Sequence, residues 1–132
     1  MATLILDSTF FIDLDREQRR KKPFSAHRFL ERHQTDEFAM SVITRGELAR
    51  GFSSREKWES FCQGFLVLGM EEDVLWTAAR VFRNLRKKGV PISDNDLWIA
   101  ATALTFGFPL VTENPKHFER IPRLTILSHR DA

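Results

Sequence analysis

The sequence predicts an α/β protein whose central sheet is mostly parallel, with four to five strands flanked by helices in three layers. Three observations carry this expectation. Short apolar runs of strand length alternate with longer stretches of helical period. The first run, Leu4-Ile5-Leu6, is apolar at every position, as a strand covered on both faces must be. Polar or acidic residues recur where an apolar run gives way to a helix. With 132 residues, no repeat and no long linker, the chain is expected to form one domain over residues 1–132.

Taken in order, residues 3–6 read as the first strand, followed by a short helix and a charged turn ending at Pro23. Residues 24–33 read as a helix with Phe24, His27 and Leu30 on one face. A second strand is expected over 37–43, with a helix from about Thr44. Residues 53–65 carry a capping signature and read as helical, and 65–69 as a third strand. The stretch 71–89 opens acidic and closes basic before Gly89, which suits the helix dipole. Its apolar stripe is Val74, Ala78, Val81 or Phe82, and Leu85. Residues 93–107 begin polar and are then apolar nearly all round, so this helix should be buried. Residues 108–112 read as a fourth strand and "NPKHF" as a helical turn, with Asn114 as cap and Pro115 at the first position. An edge strand over 124–127 closes the pattern.

Composition narrows the class. No apolar run approaches the ~20 residues of a membrane span, and no basic region precedes a long apolar stretch as in a secretory signal. The single cysteine, Cys62, excludes an internal disulfide framework and fits a reducing cytoplasm. A net charge of +2 says little. The basic residues, however, cluster at Arg16, Arg19, Arg20, Lys21 and Lys22, and again at Arg80, Arg83, Arg86, Lys87 and Lys88. Each cluster reads either as a solvated face or as an attraction for a polyanion.

The acids are distributed with more pattern. Asp7 follows the first strand, Glu47 falls in the first turn after the second, Asp94 and Asp96 open the buried helix, and Asn114 starts the turn after the fourth strand. In a parallel α/β sheet these positions share the edge where such folds place their sites. Local structure offers another account. Thr44 with Glu47, Ser93 with Asp96 and Ser53 with Glu56 are capping boxes, and Asp7 and Asn114 are good caps. Capping explains each acid alone but not why several gather without a Lys beside them. Clustered carboxylates repel unless something positive joins them. Oxygen ligands select Mg²⁺ or Mn²⁺, and the four His, at 27, 33, 117 and 129, show no zinc spacing.

Four stretches, "LILDSTFFIDL", "SVITRGELARG", "PISDNDLWIAATAL" and "LVTENPKHFERIPRLTIL", resemble the PIN-domain ribonucleases, specifically the VapC toxins of bacterial toxin–antitoxin pairs. The resemblance spans nearly the whole chain with motifs in order, and it implies a PIN-like, Rossmann-like fold. By it, Asp7, Glu47 and Asp96 are the catalytic and metal-holding acids. Asp94 and Asn114 are candidates for a fourth ligand, and Thr9 and Thr112 are supporting positions. It further implies an endoribonuclease using one or two Mg²⁺ or Mn²⁺ ions on single-stranded or loop RNA. The partners it implies are a cognate antitoxin and a second copy of the chain. Arg45, Arg19, Arg20, Lys21 and Lys22 are the candidates for steadying RNA. Two positions depart from the family: Thr9 stands where Asn is common, and Asn114 where many relatives carry Asp.

Other readings fit less well. Aspartate-nucleophile phosphatases want a second Asp two residues after the first, where this chain has Thr9. A response-regulator receiver wants acids before its Asp, where residues 4–6 are apolar. The non-enzymatic rival is a PIN-like domain that binds RNA or a partner without cutting, and Asn114 is what sustains it.

Overall fold

In the computed structural model, which describes residues 1–130, a five-stranded sheet has the order β3-β2-β1-β4-β5, and every neighbouring pair is parallel. Strand β1 (Thr3–Leu6) lies at the centre. It pairs Thr3 with Glu37 of β2 (Glu37–Ser41) and Ile5 with Leu110 of β4 (Leu110–Val111). The edges are β3 (Leu66–Leu68) and β5 (Ile126–Leu127). The chain steps outward on one side from β1 to β3 and then returns to place β4 beside β1. That reversal is a topological switch point, and it opens a crevice between the carboxyl ends of β1 and β4.

Side chains of β1 alternate between two cores, the mark of a strand covered on both faces. Ile5 packs with Val74, Ala78, Val81 and Leu85 of α5 (Glu72–Lys87), and with Ile99 and Ala100 of α6 (Asp94–Phe106). Leu4 and Leu6 join Phe10, Phe11 and Leu14 of α1 (Ser8–Arg20), Phe29 of α2 (Ser25–Arg32) and Leu48 of α3 (Val42–Ala49). Helix α4 (Arg55–Cys62) contributes Cys62 to this second core, and α7 (Pro115–Phe118) sends Phe118 into the first. The apolar circumference of α6 is explained by its place: Ile99, Ala100, Ala101 and Ala103 are all buried, and the alanines permit close packing. On α5 the ambiguous position of the stripe resolves, with Val81 buried and Phe82 46 % exposed.

Several boundaries differ from the sequence reading. The helix after β1 is not short: its thirteen residues absorb Arg16, Arg19 and Arg20, and the turn shrinks to the residues around Lys21, which closes it at φ 51°. Helix α3 begins at Val42 because Ser41 is its cap, its hydroxyl accepting from the Thr44 N–H at 3.0 Å. Thr44 is therefore inside the helix, and Glu47 lies beyond the first turn instead of completing a capping box with it. In the same way Ser54, not Ser53, caps α4. On α2 the buried face is Ala26 and Phe29, while Phe24 precedes the helix and is 61 % exposed. Phe24 supplies no side-chain cap; the Glu17 carboxylate of α1 does so, accepting from the backbone N–H of Phe24, Ala26 and His27.

Candidate active site

Asp7 stands at the carboxyl end of β1, on the switch-point crevice, and also caps α1. Its Oδ1 accepts from the Ser8 N–H at 2.7 Å, and its Oδ2 accepts from the Thr112 hydroxyl at 2.7 Å. Thr112 follows β4, so this bond joins the two strands that flank the crevice. The same hydroxyl accepts from the Asn114 N–H, and the Thr9 hydroxyl accepts from the Glu113 N–H. Thr9 and Thr112 thus shape the loop that faces Asp7.

Glu47 reaches the crevice from α3 and Asp96 from the first turn of α6. The Asn95 amide donates to Glu47 Oε2 at 3.2 Å, and His117 Nδ1 lies 2.9 Å from Asp96 Oδ2. Ser93 caps α6 by accepting from the Asp96 N–H, which leaves the Asp96 carboxylate free to face His117. Burial raises the Asp7 carboxyl above its ordinary range; hydrogen bonds from Thr112 and Ser8 oppose this, and the negative charge of Asp96 adds to it. Glu47 is also raised, first by burial and then by the charges of Asp7 and Asp96, with the Asn95 bond opposing. The three acids therefore share one electrostatic neighbourhood. Among the described residues no three His, Cys, Asp or Glu side chains close around a common point at ligating distance.

A test of what the site suits comes from its polar atoms. Glu47 Oε1 is buried without a hydrogen-bond partner, one of two such side-chain atoms among the described residues. An orphaned carboxylate oxygen beside two further acids is costly, and a hard cation relieves both the lost hydration and the repulsion. Every acid here offers oxygen, which fits Mg²⁺ or Mn²⁺.

The remaining predicted residues are exposed or paired outside this trio. Asp94 is exposed at the start of α6, and Asn114 is exposed and makes no side-chain cap bond to α7. Arg45 lies on α3 with its guanidinium 4.6 Å from the Trp58 ring centroid, and Arg19 pairs with Asp15 at 3.0 Å. Arg20, Lys21 and Lys22 are exposed near the far end of α1. Sequence reasoning passed over Asn95 and saw His117 only as a neighbour of Asn114. The polar run "SDND" at the head of α6 was the available signal for Asn95. The contact between His117 and Asp96 had none, since the two are joined only by the docking of α7.

Compared with known proteins, the sequence matches the family model of the PIN domain over residues 4–124. The chain belongs to the PIN-domain family. Its PIN domain is 31% identical over 127 residues to ribonuclease VapC1 of Haemophilus influenzae strain R2866, covering 91% of this chain and 92% of that one. It is 31% identical over 137 residues to ribonuclease VapC of Rickettsia bellii, covering 95% of each. Among solved structures it resembles VapBC-1 of nontypeable Haemophilus influenzae, with a TM-score of 0.80, 31% identity and 98% of each chain covered. The PIN domain also resembles VapBC2 of Rickettsia felis bound to a DNA fragment from their promoter, at a TM-score of 0.79 and 26% identity, covering 97% of this chain and 98% of that one. These likenesses place the chain with the VapC proteins, and the all-parallel sheet is that of their fold.

Proposed function

We propose that this chain is a Mg²⁺- or Mn²⁺-dependent endoribonuclease toxin that cuts single-stranded or loop RNA and is neutralised by a cognate antitoxin. The observation that carries the reading is the buried, unpartnered Glu47 Oε1 on the crevice that Asp7 and Asp96 share. Asp7, Glu47 and Asp96 would hold one or two ions, with Asp94 or Asn114 as a further ligand. Bound there, the cation would supply an acidified water for in-line attack and offset charge building on the phosphate. The chain's own groups do the positioning. Ser8 and Thr112 hold both Asp7 oxygens, Asn95 steadies Glu47, and His117 steadies Asp96. Because Asp7 terminates a central strand, it is held still by the sheet on both sides.

The names of the relatives support the toxin reading: they are VapC ribonucleases, and the similar structures are VapBC complexes. We further infer that the chain acts as one PIN domain over residues 1–132, in the cytoplasm, as a homodimer and within a toxin–antitoxin hetero-oligomer. Leu75, Trp76 and Phe82 on α5 are exposed apolar side chains that such an assembly would cover. Among the described residues no helix is long and apolar enough to cross a membrane. A second reading, a PIN-like domain that binds RNA or a partner without cleaving, is favoured by Asn114, a residue without charge at the start of the turn after β4.

The test is cleavage of mixed single-stranded RNA with Mg²⁺ or Mn²⁺, with and without EDTA. EDTA-sensitive cleavage that Asp7→Asn and Asp96→Asn abolish is expected. Cleavage that ignores EDTA or both substitutions overturns the metal-dependent reading, and no cleavage at all favours the binding domain. Growth arrest on expression should be relieved by co-expressing the small reading frame beside the gene.

A further inference from the structure

A second feature lies along α1, away from the acids. A groove of about 610 Å³ runs between the second half of α1, the length of α2 and the segment after β5. Arg16, Arg20, Lys22, Arg28, Arg32 and Arg130 line it. Its two acids are already engaged. Asp13 accepts from Arg130 at 2.9 Å and bonds His129 at 2.7 Å, and Glu17 accepts three backbone N–H groups of the α2 entry. Among the described residues, Arg20, Lys22, Arg28 and Arg32 have no carboxylate partner. Four like charges around one groove, none of them paired with a carboxylate of the described residues, suit a polyanion.

Phe24 narrows the class of polyanion. Its ring lines the groove while 61 % exposed, although α2 buries Ala26 and Phe29 without it. Arg28 sits 5.3 Å from the centre of that ring. An exposed aromatic ring among guanidinium groups is what unpaired bases stack on, with the phosphates between them held by the arginines. An acidic peptide would use the cations but offers a flat ring only where it carries an aromatic residue, whereas every nucleotide offers one.

Position supplies the third argument. Thr9, Asp13, Arg16, Glu17 and Arg20 share one face of α1 at spacings of three and four residues. That face begins beside the acids, where Thr9 bonds the loop after β4, and ends in the groove. Over thirteen residues the helix spans roughly 20 Å. Without its cation a crevice of carboxylates repels a phosphate chain, so affinity for RNA in that state must be supplied elsewhere along the strand.

We propose that this groove is a binding site for single-stranded RNA flanking the cleaved position, with Phe24 stacking a base and Arg20, Arg28 and Arg32 holding phosphates. The inference rests on the ribonuclease reading for the identity of the strand, though its test does not require cleavage. A fluorescein-labelled mixed-sequence RNA of about 20 nucleotides is titrated in EDTA with the full chain, and anisotropy is followed at several salt concentrations. The variant Arg20→Ala/Arg28→Ala/Arg32→Ala should weaken binding at least about tenfold and reduce the salt slope by about 2, as expected for three lost phosphate contacts on a single strand. Phe24→Ala should weaken it by about fivefold or more with the slope unchanged. As a control of equal charge, Arg86→Ala/Lys87→Ala/Lys88→Ala at the end of α5 should bind as the unaltered protein does. The proposal is overturned if the control loses as much as the groove variant, or if Phe24→Ala binds normally. It is equally overturned if polyglutamate displaces the RNA at matched charge, which would mark a site for acidic peptide. Cleavage with metal is measured separately: groove-dependent binding without any EDTA-sensitive cleavage would remove the nuclease reading and leave the groove.

Discussion

Asp7 is 3 % exposed and fully hydrogen-bonded, yet burial still lifts its carboxyl above the ordinary range. A carboxyl with a raised folded-state pKa holds its proton more tightly folded than unfolded. The stability this adds is complete below the ordinary carboxylate range and is lost as pH rises through the raised value. At neutrality the ionised group is therefore a net cost. Asp7→Asn keeps an acceptor for the Ser8 N–H and a polar partner for Thr112 while removing the charge. Its thermal midpoint at pH 7 should equal or exceed that of the unaltered chain, with the difference shrinking toward pH 4, while cleavage falls at least about 100-fold. A clear loss of midpoint at pH 7 would show that the carboxylate is a structural cap and little else. Glu47 gives a companion result. If its orphaned Oε1 faces a cation, Mg²⁺ at a hundred times its dissociation constant should stabilise the protein by about 2.7 kcal/mol. Glu47→Gln should lose most of that increment, read as the shift in midpoint between Mg²⁺ and EDTA.

At the scale of elements, caps decide where helices begin, and they were only partly legible. Ser93, Ser41 and Ser54 are all recognisable cap types, but neighbouring Thr44 and Ser53 match the same pattern one turn or one residue away. Only the path of the chain leaving β2 selects Ser41. The start of α2 was legible to within one residue, but its cap was not, because that cap is Glu17, reaching from the preceding helix. Burial opposes ionisation of Glu17, but its bonds to His27 and to the α2 backbone outweigh this and lower its pKa. Glu17→Ala would strand three backbone donors and should destabilise the chain by about 2–3 kcal/mol in urea unfolding. Glu17→Gln, which retains one acceptor oxygen, should recover part of this. An unchanged midpoint for Glu17→Ala would mean that water replaces the carboxylate.

Across the whole molecule, the segment after β5 ties the two sides of the site together. Glu113 Oε1 accepts from the Ser128 hydroxyl and from the N–H of His129 and Arg130, while Asp13 of α1 takes His129 and Arg130. His129 is buried against the Phe10 ring, with 5.0 Å between ring centres. Burial works against the Asp13 charge, yet the bonds from Arg130 and His129 prevail and hold its pKa below the ordinary value. Such a group contributes stability above the ordinary carboxylate range, and that contribution is lost as pH falls through the lowered value. Asp13→Asn should therefore cost about 1–3 kcal/mol at pH 7 and progressively less below pH 4. Denaturant titrations at the two pH values check this, and a gap that stays constant would show that charge is not what Asp13 contributes.

The sequence by itself determined the α/β class, the order of elements, the buried character of α6 and the acids at the heads of α1 and α6. These are local: period, length and charge pattern report burial and polarity within one segment. It also carried the PIN-domain motifs, because their spacing survives in the chain. What only the tertiary structure decided is how those segments face one another. The switch point between β1 and β4 brings Thr112 onto Asp7 across 105 residues of chain. The docking of α7 sets His117 on Asp96, and the packing of α1 on α2 gathers Arg20, Arg28 and Arg32 around Phe24. Each contact is set by the rigid placement of whole elements on the sheet, and that placement is a sum over two hydrophobic cores that no single stretch encodes.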